Sequence, residues 1–511
     1  MDKSIIDSIP HISEINAQHG AFNGVLPQQT QTFQDRMLTK NKILPSIREA
    51  IIRTGLKDGM TISFHHHFRN GDYIINLVMD EIAKMGIKGL TIAASSLNEV
   101  HAPLIKHIQN GVVKHIETSG MRGELAEQIS RGLMEFPVVF RSHGGRAAAI
   151  ESGEVKIDVA FLGAPSCDPY GNANGYSREQ DNATSCGSLG YAKLDALYAR
   201  QTVILTDHIV RFPNAPFAIS EANVNYVVRV DAIGDAQGIM SGSTRFTKNP
   251  KELLIAKTAA DVIEASGYFY DGFSMQMGSG GASLATARFL REKMERDNIR
   301  CRFALGGITG QIVEMHEEGL IDRILDVQSF DLIAAESLKN NRFHQQIDAS
   351  YYASIINGGA AVNQLDFVVL SALEIDVNFN INVLTGSDGV IRGAIGGHPD
   401  TADGASISII VAPLTRGRIP TIVKKVNTIV TPGAIVDVVV TDQGIAVNPL
   451  RPEIKDRLLS AGLPVFDIET LQRRAERIVG VPEDICYTDK IVGVVMYRDN
   501  TVIDVIRQVE E

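Results

Sequence analysis

Three stretches of this chain combine residue types suited to an anionic or acyl ligand. Gly278-Ser279-Gly280-Gly281 stands between an apolar run and a helical pattern. Glycine there lets a ligand approach the backbone, and free N–H groups at a helix start attract an anion. The spacing falls short of the dinucleotide fingerprint. Ser283 holds its sixth position, and no acidic residue closes a second strand about 20 residues on. Tight strand-to-helix packing and the binding of an anionic or thioester ligand remain, with Gly278, Gly280 and Gly281 as binding candidates. The second stretch, Glu374-Ile375-Asp376, leads into Asn378, Asn380 and Asn382. On a strand these amides share one face, and a buried row of them is costly unless it meets ligand or backbone. Glu374, Asn378 and Asn382 are therefore candidates. The third stretch is Gly393-Ala394-Ile395-Gly396-Gly397-His398-Pro399-Asp400. A double glycine before a polar triplet exposes N–H groups that can serve as oxyanion donors, which singles out Gly396, Gly397 and His398. A turn-rich sheet edge is the structural alternative for the last two stretches.

Other chemistries are less well supported. His65-His66-His67 is metal-like in composition, but neighbouring residues on an extended chain point to opposite faces. No HExxH pair accompanies them. They read as a polar loop at a strand end facing a cleft, with His65 as a hydrogen-bond donor to an anionic substrate and no metal expected. Cys167, Cys186, Cys301 and Cys486 are scattered without a CxxC pair, so disulfide and zinc readings fail. No G-x-S-x-G elbow is present.

Elements of an α/β protein surround these stretches. Tyr73 to Met85 has helical apolar spacing. Leu90 to Ala94, Phe136 to Phe140, Asp158 to Leu162 and Thr202 to Leu205 read as short strands, apolar on both faces. That is the pattern of a parallel sheet covered by helices. Asp58-Gly59-Met60-Thr61-Ile62-Ser63-Phe64 and Asp271-Gly272-Phe273-Ser274-Met275-Gln276-Met277 form a weak repeat roughly 210 residues apart. Each follows a helix and precedes a loop and an amphipathic helix. The expected organisation is an extension over 1–40 on the surface, a first α/β domain over 41–248 and a second over 249–511. Lys248-Asn249-Pro250 serves as the linker, since Pro disfavours helix just before it.

The 511 residues are 44% hydrophobic and 21% charged, with a formal net charge of -11. Without a basic cluster, a nucleic-acid partner is not expected. No apolar run approaches the roughly 20 residues of a membrane span, and Ile491 to Tyr497 suits a buried strand. No signal-peptide core is visible at the start, so a cytoplasmic location is the default expectation. The sequon Asn182-Ala183-Thr184 matters only in a secreted protein.

Over nearly its whole length the sequence resembles the citrate lyase alpha subunit family. The resemblance is strongest at Gly144-Gly145-Arg146-Ala147, Ile157 to Ala160, Asp168-Pro169-Tyr170-Gly171-Asn172-Ala173-Asn174-Gly175, Phe303 to Gly310 and Ala372 to Asn378. More distantly the chain is similar to the CoA-transferase superfamily, which implies two related open, mostly parallel-sheet α/β domains with helices on both faces. The resemblance implies exchange of the acetyl group of an acyl-carrier-protein thioester for citrate, releasing acetate. A lyase (beta) subunit then splits the citryl thioester. The thioester is acetyl-CoA or the CoA-like prosthetic group of a carrier (gamma) subunit, with no tightly bound cofactor. Other implied partners are citrate, acetate and further copies of the chain within the complex. By the same resemblance Asn382 and Gly396 or Gly397 hold the thioester oxygen. Anchoring on Gly307-Ile308 places Gln311 where relatives use a glutamate nucleophile, which favours direct attack by citrate and a mixed anhydride. Anchoring on Glu314-Met315 and Glu318 to Asp322 makes Glu314 the nucleophile instead. The alternatives are a covalent-glutamyl CoA-transferase or thioester hydrolase, and a non-catalytic scaffold or sugar-phosphate sensor on a related fold.

Overall fold

The computed structural model describes residues 41–179, 185–240, 247–278 and 280–510. The extension expected over 1–40, the sequon at Asn182 and Ser279 lie outside the described residues.

Two large sheets organise the chain. The first runs Ile43–Leu44, Tyr226–Arg229, Gln201–Thr206, Val159–Gly163, Thr61–Phe64, Leu90–Ala94, Val113–Thr118, Val138–Phe140, Tyr487–Met496, Val502–Val509. Its neighbours are parallel up to Tyr487–Met496, and the final pair is antiparallel. The second runs His344–Gln346, Ile324–Ser329, Cys301–Ile308, Phe273–Met277, Phe367–Ser371, Ile407–Val411, Val438–Thr441, Gly444–Val447. It too is parallel except for its last pair.

The two sheets branch alike. Thr61–Phe64 lies between Leu90–Ala94 and Val159–Gly163, and Phe273–Met277 lies between Cys301–Ile308 and Phe367–Ser371. These central strands are the two copies of the Asp-Gly repeat, and the helices Ile74–Lys84 and Gly281–Asp297 follow them. Val159–Gly163, Phe273–Met277 and Ile407–Val411 are buried along their whole length, because helices cover both faces of each sheet. Each core holds a stacked pair of aromatic rings that joins its central strand to a neighbouring strand. Phe64 stacks on Phe161 with centroids 6.0 Å apart, and Phe273 stacks on Phe367 at 5.2 Å.

Local signals set the seams. Asn249 caps the helix Pro250–Ser266 by accepting from the Lys251 N–H at 2.9 Å, with Pro250 in the first turn. Lys248-Asn249-Pro250 is thus the entry to a helix. The division that gave all of 249–511 to the second unit is corrected at its end. Tyr487–Met496, which contains the apolar run at Ile491, pairs with Val138–Phe140 in the first sheet. An open edge of parallel strand exposes unpaired N–H and C=O groups, and the returning chain covers it. No helix among the described residues is long and apolar enough to cross a membrane.

Candidate active site

The carboxyl ends of strands from both sheets face one cavity of about 490 Å³, the usual ligand position in open α/β sheets. From the first half, His66 and Arg69 follow Thr61–Phe64, Ser119 and Arg122 follow Val113–Thr118, and His143 opens a helix. From the second half come Gly278, Gly280 and Gly281, then Gly307 and Gln328, and the loop Gly396 to His398.

Glycine is required along this wall by close approach. A Cβ on Gly280 would fall 2.0 Å from Ser371 Oγ, and one on Gly397 2.4 Å from the Tyr352 hydroxyl. Gly280 is the N-cap of the 17-residue helix Gly281–Asp297 and supplies no side-chain cap, so the helix's first N–H groups are open to an anion. Gly396 adopts φ +56°, which glycine reaches without strain. Its carbonyl accepts from His143 N at 2.8 Å, while Ile395 N donates to Ser119 O at 2.7 Å. The N–H groups of Gly396 and Gly397 find no acceptor among the described residues.

The three consecutive histidines take three separate partners. His65 donates from Nε2 to Gly163 O at 2.9 Å, behind the cavity, and burial pushes its pKa down to about 3. His67 donates to Ile233 O at 3.0 Å and lies 3.4 Å from Asp72, whose charge raises its pKa against the effect of burial. Only His66 lines the cavity. Its Nε2 meets Gln328 Oε1 at 3.0 Å and its Nδ1 meets Ser95 Oγ at 2.6 Å. Since Gln328 Oε1 only accepts, Nε2 carries the proton and Nδ1 accepts from Ser95. Burial holds this ring neutral. The expectation for His65 is therefore corrected to its neighbour: alternation along the extended segment turns His66 the other way. His143 is also held neutral by burial, with a pKa near 3, and its buried Nδ1 has no partner among the described residues. His398 lines the cavity, but its nitrogens are engaged by Thr431 Oγ1 at 2.7 Å and Ser371 O at 3.0 Å.

Asn382, Glu374 and Asn378 do not line this cavity. Glu374–Asp376 and Ile381–Asn382 are short antiparallel strands joined by a turn, so the alternate asparagines never form a row on one strand. Asn382 is fully buried and spent. Its Nδ2 donates to Glu374 Oε2 at 2.8 Å, Thr385 O at 2.9 Å and Thr385 Oγ1 at 3.0 Å. Its Oδ1 accepts from the N–H groups of Leu384 and Thr385. No donor is left for an oxyanion. Glu374 also accepts two hydrogen bonds from Asn427, and Asn378 closes the turn over Asp376. Gln311 lies on the helix Gly310–Glu317, beside a separate small pocket. With its amide oriented to suit its neighbours, it donates to Leu284 O at 3.1 Å and accepts from Arg288 N at 2.8 Å. Glu314 is exposed on the same helix. Neither register of the nucleophile reaches the cavity.

Sequence reasoning passed over Arg69, Arg122, Arg416, Gln276 and Gln328, all in the cavity wall. Gln276 Nε2 donates to the Tyr352 hydroxyl at 3.0 Å, and its buried Oε1 has no partner among the described residues. Arg416 donates to Ala372 O. Glu252 is the one carboxylate lining the cavity among the described residues. The strand-end rule would have found Arg69, five residues beyond Phe64, and Arg122, four beyond Thr118.

Two open α/β halves of matching topology, with their strand ends meeting over a glycine-lined cavity, define a CoA-transferase-like architecture. The malonate decarboxylase alpha subunit of Acinetobacter baumannii shares the fold, at TM-score 0.64 and 14% identity over 89% of this chain and 96% of that one. Residues 40–509 match the family model for the citrate lyase alpha subunit. The citrate lyase alpha chain of Escherichia coli (strain K12) is 58% identical over 94% of each chain. A crystal structure of a citrate lyase alpha subunit from Streptococcus mutans, in complex with citrate, superposes at TM-score 0.90 with 58% identity, covering 93% of this chain and 92% of that one. This chain belongs to the citrate lyase alpha subunit family, the citrate CoA-transferase component of that enzyme.

Proposed function

We propose that the chain exchanges the acetyl group of an acetyl thioester for citrate in the cavity between its two halves. The supporting observation is the pair of open N–H groups at Gly396 and Gly397 in a cavity whose charged lining, among the described residues, is three arginines and one glutamate. A carboxylate of citrate attacks the thioester carbonyl, whose oxygen gains charge and is stabilised by those two N–H groups. The C–S bond breaks, leaving acetyl-citryl anhydride and the thiolate. The thiolate then attacks the citryl carbonyl of the anhydride, and acetate departs. Overall, one thioester and one carboxylate become another thioester and another carboxylate, with no net change in protons.

The open N-terminus of Gly281–Asp297 suits an anionic part of the thioester arm. That arm belongs to acetyl-CoA or to the CoA-like group of an acyl-carrier-protein (gamma) subunit. A lyase (beta) subunit consumes the citryl thioester, and the chain works within this multisubunit complex, alongside further copies of itself. Glu252 supports a second reading, a covalent glutamyl route, since it is the carboxylate that lines the cavity. The deciding experiment supplies acetyl-CoA with and without citrate and measures acetate and citryl-CoA. Citrate-dependent release of both in equal amounts is expected. Acetate released at the same rate without citrate would make the chain a hydrolase and overturn the reading.

A further inference from the structure

The first-half wall of the cavity carries two guanidinium groups. Arg69 stands in the left-handed region at φ +54°, a conformation that strains a side-chain-bearing residue. Such strain persists only where surrounding contacts enforce it. Here the Arg69 guanidinium lies 5.0 Å from the centre of the Phe330 ring, supplied by the second half, and donates to Ile239 O at 3.2 Å. Arg122 is half-buried and makes no ion pair or hydrogen bond among the described residues. Burial, with the positive charge of Arg122 second, draws the Arg69 pKa down to about 10. Burial lowers that of Arg122, while the charge of Glu99 only partly offsets it. Two partly desolvated cations on one wall are unfavourable unless an anion joins them.

The Arg122 loop is fastened to the glycine loop. Gly120 pairs with Ala394 so closely that a Cβ would fall 2.2 Å from Ala394 Cα. Met121 N donates to Gly393 O at 3.1 Å, and Ile395 N donates to Ser119 O at 2.7 Å. The cationic wall therefore has a fixed place beside Gly396 and Gly397.

Building on the proposed acyl exchange, we infer that Arg69 and Arg122 form a clamp for a second carboxylate of the acceptor, one that does not react. An acid held there presents another carboxylate to a thioester carbonyl seated on the glycine N–H groups. A monocarboxylate can fill only one of these places. The acceptor class is thus di- and tricarboxylates, and the acetate formed has no second carboxylate to hold it for the reverse attack.

The test is Arg122→Gln, with Arg122→Lys beside it, in the full-length chain supplied with acetyl-CoA. Citrate and propionate serve as acceptors, and the thermal midpoint is read with and without citrate. The expected result for Arg122→Gln is a rise of about 10–100-fold in KM for citrate, the scale of a lost charge-assisted hydrogen bond. The KM for acetyl-CoA and the slow propionate reaction stay unchanged, and the rise in thermal midpoint caused by citrate disappears. Arg122→Lys retains part of the citrate response. Since Arg122 has no ion pair or hydrogen bond to lose among the described residues, the citrate-free midpoint is expected to hold or rise. A citrate KM and citrate-induced midpoint shift equal to those of the native chain would overturn the clamp, as would equal losses with citrate and propionate. If the native chain itself fails to transfer from acetyl-CoA to citrate, the acyl-exchange reading fails first, and citrate binding by calorimetry then judges the clamp alone.

Discussion

Residues 374–382 and residues 393–398 are both rich in groups that could bind a substrate, yet the structure uses them in opposite ways. In the first region every conspicuous group has a partner. Asn382 is saturated by Glu374, Leu384 and Thr385, and the Asp376 carboxylate accepts from Asn378 N and from the N and Nδ2 of Asn380. In the second region two backbone N–H groups are left open against the cavity. Buried polar groups that satisfy one another are scaffold. A site is made from groups the fold holds in place but leaves unpaired.

The most damaging way to probe the scaffold is Asn382→Ala. It strips a donor from the buried Glu374 carboxylate and orphans two N–H groups, at an expected cost of about 3–5 kcal/mol. Chemical denaturation would read this loss, while the transfer rate per folded molecule stays unchanged. A fall in rate without a fall in stability would return Asn382 to the chemistry. Gly397→Ala probes the other region. Its new Cβ meets the Tyr352 hydroxyl and displaces the loop, so kcat should drop about 10²–10³-fold, the effect of losing one oxyanion donor. Unfolding should change far less than the rate, and an unaffected kcat would remove the glycine N–H groups from the reaction.

A smaller effect sharpens the boundary between the regions. Asp400 follows the glycine loop and accepts from Ser142 Oγ at 2.7 Å and Gly144 N at 2.8 Å. Burial raises its pKa to about 6, although Arg498, 3.9 Å away, pulls the other way. The folded value lies above the unfolded one, so between about pH 4 and pH 6 the fold holds a proton that the unfolded chain has released. Stability from this group is full below that window and falls as pH rises through it, by at most roughly 3 kcal/mol. Comparing native chain and Asp400→Asn by denaturation across this window should show the native chain losing ground as pH rises. Parallel profiles would contradict the assignment.

Much of the architecture was legible in the sequence. The short two-sided apolar strands and the Asp-Gly repeat marked both sheets, because a parallel sheet's burial writes itself into every residue of a strand. The return of Tyr487–Met496 to the first sheet was not legible, since pairing over more than 340 residues leaves no local pattern. Within the site, glycines at 278, 280, 281, 396 and 397 were visible through their turn chemistry. His65 was mistaken for His66 because strand phase decides which of two neighbours faces the cavity. Asn382 was misjudged because its hydrogen bonds form within a turn whose path single-residue patterns do not define. Arg69 and Arg122 are ordinary surface types in sequence, and only the convergence of two strand ends brings them together.

The most direct test of the proposal that the cavity works through open N–H groups, with no acyl group ever attached to the protein, is the initial-rate pattern of the native chain. Acetyl-CoA and citrate are varied together and the rates drawn as double-reciprocal plots. Direct attack needs both substrates bound at once and gives intersecting lines. Parallel lines would mean that the protein carries the acyl group or the thiol between two half-reactions, and would transfer the central role from the glycine loop to Glu252.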